Sequence, residues 1–349
     1  MGYEGSITIR DSIGPFFAFF GILNRKDVIL IKKIFNILSL KKLLSALIII
    51  IGVTFISFAL MYISPGDPVE IMMSSNGSTI SQEVINAKKE ELGLNKSFLE
   101  QYTTWLKGLA TGNLGTSIKY NRPVSQEILS KLPATLYLAL LSLIISVIIA
   151  LPIGIFAASN NNKLSEKIIR ILSLFGPSMP SFFIALILMY FVCYKFRLLP
   201  VSNDGPSAII LPTITMVVGI ASKFIRQIKS IILEELNKEY VIGLKVRGVS
   251  KKEILFKHVV KGCALPIITM IGLSFGSLLG GATIVETVFM WPGIGKYAVE
   301  AISSRDYPVV QGYIVWMSFI FLFINYLTDK SYYLFDPRLK RRRGENSKW

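Results

Sequence analysis

Six apolar stretches constrain this chain more than any other feature. Each is close to or above the roughly 20 uncharged residues that a helix needs to cross a hydrocarbon core. They cover residues 43–66, 132–159, 171–194, 205–222, 262–285 and 307–328, the fourth being the shortest and opening on Gly-Pro. Any one of them alone could be the buried helix of a soluble protein. Six in a chain that is 52% hydrophobic and only 17% charged point to an all-α, polytopic membrane protein.

The net charge of +16 is the second constraint, and its placement matters more than its size. Residues 1–42, 160–170, 223–261 and 329–349 carry +4, +2, +6 and +4, whereas 67–131, 195–204 and 286–306 carry 0, +1 and −1. The whole excess lies in alternate segments. The positive-inside rule assigns those segments to the cytoplasm, and six spans then put both termini there. The order along the chain is an N-terminal extension (1–42), a first span (43–66), an extracytoplasmic helical segment (67–131), a five-helix core (132–340) that includes the cytoplasmic loop 223–261, and a basic tail (341–349). Within 67–131, residues 81–92 and 97–109 have helical apolar spacing. Residues 28–42 read as a basic amphipathic segment on an anionic lipid surface. An over-long start with little role is the equal alternative.

Several function classes drop out. The apolar composition argues against a nucleic-acid binder despite the basic excess. One His and two Cys exclude a His-rich metal site or a disulfide scaffold. Cys193 and Cys263 fall at opposite membrane faces and read as packing residues, so no metal ligands and no bound cofactor are expected. The six stretches contain no Asp, Glu, Lys, Arg or His, with Glu286 and Asp329 only at their ends. Proton relays and intramembrane proteases need such groups. No phosphate-binding loop occurs: Gly293-Ile294-Gly295-Lys296 lacks the required spacing and continues with Tyr297. The chain therefore neither catalyses a reaction nor hydrolyses nucleotide, and its driving energy comes from elsewhere.

Loop 223–261 has internal grammar. Residues 232–247 carry a helical apolar stripe of Leu233, Leu236, Tyr240, Val241 and Leu244. Gly248 suits the left-handed position that ends a helix. Ser250-Lys251-Lys252-Glu253 is a capping box for the next helix, which runs to Pro266. A helix, a Gly turn and a helix with an apolar face and a basic rim suit a partner's groove.

These residues also resemble a known family. Glu239-Tyr240-Val241, Lys245-Val246-Arg247-Gly248, His258 and Leu265-Pro266 are similar to the "EAA" loop of bacterial ABC importer permeases of the dipeptide/oligopeptide/nickel class. Further matches fall in order: Pro65-Gly66-Asp67-Pro68, Leu92-Gly93-Leu94, Asn113 to Ser117, Arg122-Pro123-Val124 and Leu132 to Leu136. Pro177 to Ser181, Val285 to Phe289, Trp291 to Gly295, Arg305 to Gln311 and Asp336-Pro337-Arg338 complete the series. The resemblance spans roughly 34–340. Ile242-Gly243-Leu244 depart from the name-giving Glu-Ala-Ala, and residues 1–33 have no counterpart.

The resemblance implies the first permease subunit of an importer. Its partners would be a second homologous permease, two ATPase subunits and an extracytoplasmic substrate-binding lipoprotein, within membrane lipid. Tyr240, Val241, Leu244, Lys245, Arg247 and Gly248 would dock an ATPase. Gly176-Pro177 and Pro180 interrupt the third stretch, so Ser178, Met179 and Ser181 are candidates for the substrate path, with a packing kink as the alternative. Residues 67–131 and the 286–306 segment, with Glu286, Arg305 and Asp306, are candidates to contact the binding protein. Small peptides, nickel and metal chelates all remain open as substrates. The competing classes are a self-sufficient secondary transporter or channel and a membrane-anchored interaction protein.

Overall fold

The structure, a computed structural model, describes the backbone of residues 25–64, 66, 69–70, 82–200 and 205–335, with side chains over 44–328 of these. Among the described residues it is built of helices, with no strand and one isolated bridge, Thr116 to Pro123. The basic segment 28–42 is helical, but its side chains, the Pro65, Asp67 and Pro68 matches, Asp336-Pro337-Arg338 and the tail 341–349 lie outside the described residues. The chain divides into a unit over residues 1–53 and a larger one over 54–349.

Helix α1, Arg25–Ile63, runs through both units. In the first unit its apolar side chains Leu44, Leu47, Ile48, Ile49, Ile51 and Val53 are exposed. Such a surface is stable only in a non-aqueous surrounding. The larger unit begins with the end of α1, followed by α2 (Gln82–Glu91) and α3 (Phe98–Ala110). The Glu100 carboxylate accepts bonds from the Ser97 N–H and hydroxyl, the box that starts α3. Phe98 and Tyr102 on α3 pack edge-on against Phe55 and Phe58, so α3 lies along the end of the first span rather than free beyond it.

The core consists of α4 (Val124–Ser159), α5 (Leu164–Ser178), α6 (Ser181–Leu188), α7 (Ile210–Leu236), α9 (Ala264–Val288) and α11 (Tyr307–Phe335). The short helices α8 (Glu239–Val246) and α10 (Ile294–Ser303) cap its two ends. Among the described residues, five helices are long and apolar enough to cross a membrane, and the bent pair Leu164–Ser178 and Ser181–Lys195 makes six if counted as one span. Residues 171–194 are thus not the straight span that their composition predicts: the axis turns by 102° between the two halves. Pro180 is the local cause. It pushes Met179 to an extended conformation (φ −101°, ψ 134°) and caps α6.

The fourth stretch, the shortest in sequence, becomes the central helix. α7 carries eleven buried residues, among them Phe224, Ile228 and Ile232, and runs 27 residues, about 40 Å. It continues past the apolar stretch through Lys223, Arg226 and Lys229, so it extends beyond the hydrocarbon core at that end. α5 crosses it closely: a Cβ on Gly176 would meet the Val218 carbonyl at 2.5 Å. One apolar cluster joins α4, α7, α8 and α9; a second, with Leu114, Val124, Ile128, Ile294, Tyr297 and Val309, closes the end away from α8.

Candidate functional site

Among the described residues of the larger unit, polar groups gather in a knuckle at the basic end, in a cavity between the helices, and as buried carboxylates at the opposite end.

The knuckle follows α7. The sequence predicts one helix over 232–247, but the chain breaks at Asn237-Lys238, and α8 starts afresh at Glu239. Glu235, buried one turn before the break, holds the corner. Its carboxylate accepts a bond from Tyr240 Oη (2.9 Å) and one from Lys238 Nζ (2.7 Å). Burial of the Tyr240 hydroxyl, aided by the acceptor Glu235, pushes its pKa up to about 12. Bonding to Glu235 also raises the Lys238 pKa. α8 ends as its sequence predicts. Gly248 has φ +77°, a conformation open to glycine, and its N–H bonds the Lys245 carbonyl. Ser250 Oγ then accepts from the Glu253 N–H, starting the helical segment 251–262.

The predicted docking residues do not share one face. Val241 is fully buried and belongs to the core; Leu244 packs against that core. Val241 therefore anchors α8 and cannot present itself to a partner, because its side chain points at α8's own support. The exposed apolar side chains are Tyr240 (41%), Ile242 (54%) and Val246 (82%), with Lys245 and Arg247 exposed beside them. The predicted stripe of Leu233, Leu236, Tyr240, Val241 and Leu244 continues the α7 phase across the break, and of its members only Tyr240 is exposed.

The cavity, about 160 Å³, lies between α5, α6, α7 and α9. Met179 and Ser181 line it together with Thr215, Lys223, Ser274 and Ser277. Ser178 does not: its hydroxyl donates to the Leu174 carbonyl (2.7 Å), satisfying the turn before the break. The bend between α5 and α6 thus shapes the wall of a cavity.

At the opposite end, Glu286 and Asp306 are buried, 0% and 1% exposed, so neither can offer a surface contact to a binding protein. Arg305 is half-buried and donates to the Gly66 carbonyl (3.0 Å). Glu286 accepts from Thr135 Oγ1 (2.6 Å) and from the Lys296 N–H (3.0 Å); Thr135 Oγ1 in turn accepts from the Ile294 N–H (2.9 Å). Gly293 is needed there, since a Cβ would overlap the Glu286 carboxylate. Asp306 accepts from Ser117 Oγ and from the N–H groups of Ile118 (3.1 Å) and Lys119 (3.2 Å). A buried carboxylate is tolerable only with such partners. The two acids tie α10 and its flanks to the start of α4 and to the 113–123 turn. Thr135 and Ser117 lie inside segments that carry the family resemblance, which was the only signal for their roles; nothing in the sequence marked Glu235 as a staple.

Among the described residues, no group of three or more His, Cys, Asp or Glu could hold a metal ion. Cys193 and Cys263 are free thiols, both buried.

Comparison with known proteins agrees with this architecture. Residues 150–341 match the family described as binding-protein-dependent transport system inner membrane component, and residues 35–139 match the family of its N-terminal part. Nickel import system permease protein NikB from Staphylococcus aureus, strains bovine RF122 / ET3-1 and MRSA252, is 36% identical over 305 residues, 87% of this chain and 92% of the relative. The inward-facing MetNI methionine ABC transporter shares the fold, with a TM-score of 0.50 at 14% identity over 60% of this chain and 97% of that one. The chain belongs to the inner-membrane components of binding-protein-dependent transport systems and is the permease subunit of an ATP-binding-cassette importer.

Proposed function

We propose that this permease forms half of a translocation path for nickel carried as a small organic chelate, and that α8 is the element through which an ATPase subunit drives it. The nickel reading rests on the NikB relatives, which are similar along nearly their whole length. The chelate reading rests on the cavity. Its polar lining is hydroxyls and one ammonium, and its soft donors are the thioethers of Met179 and Met216. Hydroxyls and apolar walls accept an organic shell around a metal more readily than they strip one from it.

The remaining parts follow from charge and exposure. The basic segments face the cytoplasm, so α8 and both termini lie on that side. Two ATPase subunits and a second permease complete the assembly, and an extracytoplasmic lipoprotein delivers the substrate to the opposite end. Tyr240, Ile242 and Val246 enter the ATPase groove, and Lys245 and Arg247 form its charged rim. Because Glu235 belongs to α7 while it holds Tyr240 and Lys238, a push on α8 is delivered to the central helix beside the cavity.

The test is uptake in cells with and without the gene, using radioactive nickel free or pre-complexed with a small chelator, with labelled peptides in parallel. Gene-dependent uptake of the complex above that of the free ion is expected. Gene-dependent peptide uptake without nickel uptake overturns the assignment.

A further inference from the structure

A second cavity, about 270 Å³, lies between α5 and α7 at the basic end, away from the proposed substrate path and from α8's exposed face. Its charged lining is Glu166, Arg170, Arg226 and Lys229, three cations against one carboxylate. Glu166 is buried and already engaged: Lys229 Nζ lies 2.6 Å and Arg170 Nε 3.9 Å from the same oxygen, Oε1. That leaves two positive charges uncompensated within the cavity. Arg226 makes no hydrogen bond or ion pair among the described residues, and its Nε is sealed from solvent without a partner. Arg226 therefore brings an uncompensated guanidinium to a wall that carries a net charge of +2. The volume corresponds to about nine waters, enough for a phosphate group. Ser173 and Ser230 supply hydroxyls to the same walls.

The surroundings indicate where such an anion comes from. The reverse face of α5 exposes Leu164 (73%), Ile168 (49%), Leu172 (62%) and Phe175 (54%). A helix with basic residues on one side and a bare apolar stripe on the other suits the boundary between headgroups and acyl chains. Basic pockets between spanning helices on the cytoplasmic side bind acidic headgroups.

We propose that this cavity is a binding site for the phosphodiester headgroup of an acidic phospholipid, with Arg226, Arg170 and the free valences of Lys229 as its donors. The orientation proposed above serves only to place the site in the inner leaflet; the chemistry of the cavity does not depend on it, nor on the nickel assignment.

The full-length chain is placed in nanodiscs of phosphatidylcholine alone or doped with phosphatidylglycerol, and thermal unfolding is followed. Phosphatidylglycerol is expected to raise Tm by a few degrees, as a ligand of the folded state does. R226Q breaks no hydrogen bond or ion pair among the described residues, so it should match the native chain in phosphatidylcholine while losing most of the rise. R170Q should lose part of it. K167Q removes an equal charge from an exposed position on the same helix and should keep it. An equal rise in R226Q, R170Q and K167Q overturns the site, because only diffuse surface charge is then at work. An R226-dependent rise produced as well by inorganic phosphate in phosphatidylcholine discs overturns the lipid in favour of a soluble phosphate.

Discussion

The two ends of the core bury acids in opposite ways. At the basic end, Glu235 is paired with a lysine at the break and a tyrosine on the next helix, and the apolar residues just beyond, Ile242 and Val246, stay outside. At the opposite end, Glu286 and Asp306 meet hydroxyls and backbone N–H groups, and the local hydrophobic side chains Ile294, Tyr297 and Val309 are buried around them. A side-chain ion pair on a corner fixes an angle while leaving a surface unfinished. Backbone-donor sites sew loops down and leave little to offer. The first arrangement suits an element that docks; the second suits a frame against which something moves.

Five substitutions, one of them with a titration, sharpen this contrast. The largest effect is expected from Val241→Asp, which sets an unpaired charge in the core beneath α8 and costs more than about 4 kcal/mol; folded protein should fail to accumulate in detergent extracts. Glu286→Ala leaves Thr135 and the Lys296 N–H without their acceptor and should cost about 3 kcal/mol, read as a lowered Tm. If its Tm matches that of the native chain, the carboxylate does not hold the opposite end. Val246→Asp, five residues from Val241 but 82% exposed, should leave Tm unchanged and weaken ATPase binding about tenfold, the equivalent of 1.4 kcal/mol. Normal binding by that variant removes α8's exposed face from the docking reading.

Tyr240→Phe removes only the hydroxyl bonded to Glu235 and should cost at most about 1 kcal/mol. It also carries a pH signature. The phenol's pKa is raised in the folded chain from about 10 to about 12, so its stabilisation is complete below pH 10 and is lost as pH rises through 12. Tm of the native chain and of the variant should therefore converge in alkaline buffer. The smallest effect belongs to Glu253, whose carboxyl Lys257 holds below the usual range. Its contribution is present above the unfolded value, about 4.3, and fades as pH falls through the folded one. Being exposed, it should leave Tm of Glu253→Gln indistinguishable from native in moderate salt.

Much of this was legible in sequence, for identifiable reasons. Span positions follow from hydropathy because a bilayer admits few other uncharged runs of that length. The end of α8 at Gly248 and the cap at Ser250 are local backbone chemistry, readable within four residues. The break at Met179-Pro180 is likewise local, and two of the three path residues drawn from it line the cavity. Val241 joins the predicted stripe yet is buried, because the 3.6-residue period is informative only while a helix continues, and α7 stops at Leu236.

What the sequence alone determined is the class: an apolar, asymmetrically charged, all-helical chain whose motifs identify its family. The tertiary structure alone decided which acids are buried and why. Glu286 finds Thr135 from 151 residues away, and Asp306 finds Ser117 from 189. It also decided the 102° turn between α5 and α6, since a proline permits a bend but the packing of Gly176 on α7 fixes where the helix before it lies. The physical reason is range. Hydropathy, caps and turns are properties of a few neighbouring residues, whereas burial, pairing and the facing of a side chain depend on what the rest of the chain brings beside it.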